Sequence, residues 1–119
     1  GQIEGGFVQG QGWLTIEELN WKSNGQITTF SPSTYKIPAV SDMPKKFNVE
    51  IFKKGLNVER VVNKAKTTGE PPLMLAMSVF FAIKDAIASI SNYEKIPNID
   101  APATPEKILL SIKKLKNII

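Results

Sequence analysis

Glu70 stands where a carboxylate can be kept ready for proton transfer. It follows Gly69, whose backbone is free to turn, and precedes Pro71 and Pro72. Prolines suit the first positions of a helix, where a missing N–H costs nothing. From Leu73 to Ile90 the residues are almost all apolar and form the longest candidate helix of the chain. A carboxylate at the start of that helix faces the positive end of its dipole, where the ionised form is favoured. An ionised carboxylate held on rigid backbone is what a general base requires. The same position also suits a carboxylate that merely caps free N–H groups, and the local pattern leaves both roles open.

The remaining chemistry is narrowed by absence. The 119 residues contain no His and no Cys. An imidazole base, a Ser-His pair, a disulfide, a Cys-ligated metal and a conventional zinc site are therefore excluded within the chain. Catalysis here must use carboxylates, amides, hydroxyls, Lys or a bound cofactor. The net charge of +4 is spread out, with Lys45-Lys46, Lys53-Lys54 and Lys113-Lys114 in separate segments and no interleaved aromatic residues. That is no coherent basic face, so no nucleic-acid partner is expected. The longest uncharged run, Pro71 to Ile83, is too short to span a bilayer, and no membrane association is expected. Residues 112–119 can be read as a membrane-surface helix, but a packed helix with a solvated lysine face explains them more simply. No charged segment leads into an apolar one near the start, and there is no initiating Met, which suggests a piece of a longer polypeptide. Its length suits one domain, and its 42% hydrophobic content is ample for a core.

These residues need elements to position them. Gln2 to Leu19 reads as a helix with Ile3, Phe7, Gly10 and Leu14 on one stripe. Gly5, Gly6, Gly10 and Gly12 each weaken it by up to about 1 kcal/mol, so another backbone or a ligand should approach closely. Leu19–Lys22 and Gln26–Phe30 alternate like strands around a turn at Ser23-Asn24-Gly25, and Phe47–Phe52 alternates as a third. Residues 31–44 read as an ordered loop, and Val58 to Ala65 as a short strand or turn. The helix after Glu70, rich in Met and Phe, is expected to be almost completely buried. After a loop from Asn92 to Pro102, Thr104 as N-cap and Pro105 open a last helix with Ile108, Ile112 and Leu115 as its stripe. The expected class is α+β: a small antiparallel sheet with a glycine-rich N-terminal helix, a long buried helix and a C-terminal helix.

Three stretches then carry a resemblance: Gly1-Gln2-Ile3-Glu4-Gly5-Gly6-Phe7-Val8-Gln9-Gly10, Ser33-Thr34-Tyr35-Lys36-Ile37-Pro38-Ala39 and Gly69-Glu70-Pro71-Pro72-Leu73. With Ser78–Ile87 and Ala103–Ile108, in one collinear order, they resemble the xanthine dehydrogenase and aldehyde oxidase family of molybdenum hydroxylases. The resemblance implies that residues 1–119 form the C-terminal part of the molybdopterin-binding catalytic domain. It implies that Glu70 is the general base, taking the proton from a molybdenum-bound hydroxyl as its oxygen attacks an electron-poor ring carbon. It implies that Gln2 hydrogen-bonds the pterin cofactor, and that no protein side chain here ligates the metal. The paired prolines look like the xanthine dehydrogenase branch, hence hydroxylation of purines from hypoxanthine to xanthine to urate. An aldehyde oxidase type is the alternative within the family, and a non-enzymatic module the alternative outside it. In the full enzyme the family also implies 2Fe-2S clusters, FAD, NAD as acceptor, a homodimer and a cytoplasmic or peroxisomal location. None of those groups would be bound by this segment. The purine-clamping residues would lie elsewhere, so the segment alone is expected to be inactive.

Overall fold

The computed structural model describes residues 1–117. Among them the chain forms four α-helices: α1 (Gln2–Thr15), α2 (Glu70–Leu75), α3 (Met77–Ser89) and α4 (Pro105–Leu115). Short 3₁₀ turns occupy Val40–Asp42 and Val62–Lys64. The expected antiparallel sheet is not there. What remains of it is a single bridge between Trp21 and Ile27.

The turn itself forms as its residues dictate. Gly25 takes a φ of 82°, and the Asn24 Oδ1 accepts from the Gln26 N–H at 3.1 Å. Beyond the bridge the ladder is diverted, because the Asn20 N–H donates to the Thr29 Oγ1 at 3.0 Å and not to a strand carbonyl. Residues 47–52 form no strand and no other regular element among the described residues. Phe47 packs against Phe7 of α1, with ring centroids 5.3 Å apart, while Ile51 and Phe52 are exposed. Alternation alone gave no partner, and two strands without a covered face are marginal in water. The α+β expectation is thus corrected to an all-helical framework with long connecting segments.

The first helix ends at Thr15, short of Leu19. Both the Ile16 and the Glu17 N–H donate to the Gly12 carbonyl, at 3.0 and 2.9 Å, and the chain then turns back over Gly12. The long apolar helix starts at Glu70 and breaks once, at Ala76. There the Ala76 N–H donates to the Leu73 carbonyl at 3.2 Å and the Val79 N–H to the Ala76 carbonyl at 3.0 Å, a tightened three-residue spacing. The expectation of near-complete burial also fails: Met74, Leu75, Met77, Phe81 and Ile90 are all exposed. Together α2 and α3 cover the twenty residues Glu70–Ser89, which are long and apolar enough to cross a membrane by length and composition alone. That stretch is longer than the uncharged run read from the sequence, because Lys84 and Asp85 are only a local polar break.

At the other end of α3 a small core forms from Ile87, Ile99 and Ala103, with Phe80, Ile83, Ile108, Ile112 and Leu115 against it. The sequence-derived cap of α4 is present: the Lys107 N–H donates to the Thr104 Oγ1 at 3.4 Å. The Ala103 N–H donates to the Leu14 carbonyl at 2.7 Å and ties this end to α1. The loop at residues 31–44 is ordered as expected. The Gln11 Nε2 donates to the Asp42 carbonyl at 2.7 Å. The Asp42 carboxylate accepts the Ala39 N–H at 2.9 Å and lies 3.5 Å from the Lys36 ammonium.

The surface area of 9363 Å² exceeds the roughly 6,400 Å² of a closed monomer of 13.1 kDa. The radius of gyration, 18.2 Å, likewise exceeds the roughly 13–14 Å of a compact chain of this length.

Candidate functional site

The helices α1 and α2 run in the same direction, side by side. A side chain at Gly6 would collide with the carbonyl oxygen of Gly69, and one at Gly10 with the carbonyl oxygen of Leu73 and, at 2.8 Å, with the Ala76 methyl. Gly6 and Gly10 are therefore accounted for by close packing of backbones, one of the two reasons their presence had suggested. Gly69 itself has a helical backbone, with φ −93° and ψ −30°, so the corner does not depend on glycine's conformational freedom. Its place is set by neighbours: a Cβ there would lie 3.8 Å from the Gln2 carbonyl oxygen.

This pairing brings the two helix starts together at the mouth of a recess of about 340 Å³. Gln2, Gly5, Gly6 and Gln9 line it from α1, and Gly69, Glu70 and Leu73 from the facing corner and α2. Gln2 and Glu70, far apart in sequence, thus share one cavity. Glu70 occupies the first position of α2, is exposed, and enters no ion pair among the described residues. The positive end of α1 opens on the same mouth and favours an anionic or electron-rich group there.

Donor chemistry tests what the recess can hold. Among the described residues no three His, Cys, Asp or Glu side chains come together as metal ligands. The walls offer two carboxamides, one carboxylate and bare helix backbone at Gly5, where a Cβ would meet nothing within 4 Å. That set fits a flat, polar organic cofactor that brings its own metal ligands; it does not fit a metal ion held by protein. Gln2 would bond such a cofactor, and Gly5 would let it lie against the helix. Sequence reading missed Gln9, although its signal was present: seven residues after Gln2 is two turns along the same helix face.

The other carboxylates are differently placed. Glu17 and Glu18 line a second groove with Trp13, Trp21, Pro102 and Lys107. Burial pushes the Glu17 carboxyl above its ordinary value, and Lys107 lies 3.8 Å from Glu18. Asp42 is held below the usual carboxylate range, first by the Ala39 N–H and then by Lys36. None of the three lines the recess that holds Glu70.

Residues 1–44 match the family model of the molybdopterin cofactor-binding domain, so the class is that of molybdopterin-binding proteins. The chain is 48% identical to mouse xanthine dehydrogenase/oxidase over 114 residues, covering 91% of this chain and 8% of the mouse protein. It is 43% identical to rice xanthine dehydrogenase over 122 residues, covering 93% of this chain and 9% of the relative. The relative from Dictyostelium discoideum, also a xanthine dehydrogenase, is 43% identical over 114 residues. The chain belongs to the xanthine dehydrogenase family of molybdenum hydroxylases, as a segment of its molybdopterin-binding region. It spans less than a tenth of the length of the relatives it matches.

Proposed function

We propose that in the complete protein this segment supplies one wall of a site where purines are hydroxylated, from hypoxanthine to xanthine to urate. Glu70 is the general base and Gln2 the amide that hydrogen-bonds the cofactor. The observation that carries this reading is their common recess, lined by Gln2 from one helix and Glu70 from another. The relatives' printed name, xanthine dehydrogenase, supports the purine substrate class. When bound, molybdopterin supplies the molybdenum that accepts the electron pair released as a ring C–H becomes C–O.

The chain's own part is positional and acid–base. The Glu70 carboxylate accepts the proton lost by the oxygen nucleophile from its place at the first position of α2. Gln2 offers both a donor and an acceptor, so it can bond a cofactor edge without supplying charge. Electron transfer onward through 2Fe-2S clusters and FAD to NAD, the homodimer and a cytoplasmic location belong to the rest of the protein and rest on the family resemblance. The isolated chain has no turnover on this reading, because its exposed apolar surface and single carboxylate make half a site.

In the complete protein, Glu70→Gln is expected to leave molybdenum content intact. Turnover should fall by more than the about 10²–10⁴ typical of one acid–base group. A retained rate at full cofactor occupancy overturns the role of Glu70. Xanthine oxidation by the 119-residue chain on its own, with or without added cofactor, overturns the half-site reading.

A further inference from the structure

The recess contains one polar side chain that the proposed function leaves without work. Gln9 lines it with Gln2, Glu70 and Leu73, is exposed, and lies two helical turns beyond Gln2 on α1. At 1.5 Å per residue the two carboxamides are carried about 10 Å apart along one face. Between them the wall is Gly5 and Gly6, with no side chain to lift a ligand off the helix. Across the recess, Gly69 and Glu70 face the Gln2 end and Leu73 faces the Gln9 end, because α1 and α2 run in parallel. The proton chemistry is therefore confined to one end. The other combines an amide with an apolar side chain, which suits a flat heterocycle held by one polar edge. A carboxamide donates and accepts at once, and so matches the adjacent N–H and C=O groups of a pterin ring.

We propose that Gln9 is a second cofactor-binding residue, holding the organic part of molybdopterin at the end of the recess away from Glu70. This rests on the reading of the recess as a molybdopterin site, but not on the role of Glu70 as base. Gln9 is a binding residue only and takes no part in proton transfer.

The test is Gln9→Ala in the complete protein, beside Glu70→Gln. An exposed helical Gln→Ala change does not threaten the fold, and circular dichroism checks it. Pterin and molybdenum per polypeptide are measured directly after purification and again during dialysis. The expected result is a several-fold loss of both from Gln9→Ala, restored in part by Gln9→Asn, with unchanged KM for the purine in the fraction that stays loaded. Full, stable cofactor content in Gln9→Ala overturns the proposal. So does a raised KM at full content, which would assign Gln9 to the substrate. If Glu70→Gln retains turnover while Gln9→Ala loses cofactor, the base assignment fails and this one stands.

Discussion

Two regions of the chain use apolar residues in opposite ways. Where α1 packs along α2, Gly10 and Ala76 are buried and the backbones touch, with Ala76 wholly inaccessible to water. Between residues 48 and 66, Ile51, Phe52, Leu56, Val58 and Val62 are exposed, and the segment has no regular element beyond one 3₁₀ turn. The first region is complete within this chain, since small residues let two helices close on each other. The second has the composition of a packed strand with nothing to pack on. The difference shows that side chains alone do not make a core: a second element must be within reach.

The largest expected effect breaks this contrast. Phe52 is 77% exposed here, and the chain spans less than a tenth of the relatives it matches, so the prediction is that further chain covers it in the complete protein. Phe52→Ala in the complete protein is expected to cost about 3 kcal/mol, the lower end for a buried Phe. Native-state hydrogen exchange across residues 48–60 measures it, and a change within about 0.5 kcal/mol would mean the segment stays solvated. Next comes the closed region. Gly10→Ala forces a methyl onto the Leu73 carbonyl and Ala76, with an expected cost of about 1–3 kcal/mol, read as faster exchange of α1 amides. Unchanged protection would show that the two helices have room to spare.

The smallest effect concerns the loop strapped over α1 through Gln11 and Asp42. The Asp42 carboxyl is depressed in the folded chain, so its contribution is fully present above the ordinary aspartate range. It is lost as pH falls through the lower, folded value. Protection of the Ala39 amide, corrected for the intrinsic pH dependence of exchange, should therefore fall on acidification below about pH 4, and Asp42→Asn should remove that dependence. An unaltered pH profile in Asp42→Asn would show that the Ala39 contact carries no stability.

The helices that frame the recess were legible in the sequence, and the sheet was not. The helix start at Glu70-Pro71-Pro72, the glycine spacing of α1 and the Thr104-Pro105 start of α4 are local signals, set by a few neighbouring residues, and each forms, although Gly69 keeps an ordinary helical backbone where a free turn was expected. The turn at Asn24-Gly25 is equally local and also forms. Strand pairing is not local: Phe47–Phe52 carries the right alternation, but alternation cannot state what lies beside it. Burial of α3 failed for the same reason, because Phe81 and Met77 are apolar whether or not another helix covers them. Gln9 shares a helix face with Gln2, which the spacing shows, but that this face lines a recess is a property of two helices, and only one of them contains Gln9.

The exposed stretch between Phe52 and Lys64 also separates the chain into two parts that hold each other. Gln2 lies before it and Glu70 after it, yet Gly6 and Gly10 grip Gly69 and Leu73, and the Leu14 carbonyl grips Ala103. A protease that cleaves after Lys53 or Arg60 would therefore cut the polypeptide without parting the recess. Two peptides made separately from either side of that cut have the contacts needed to reassemble it.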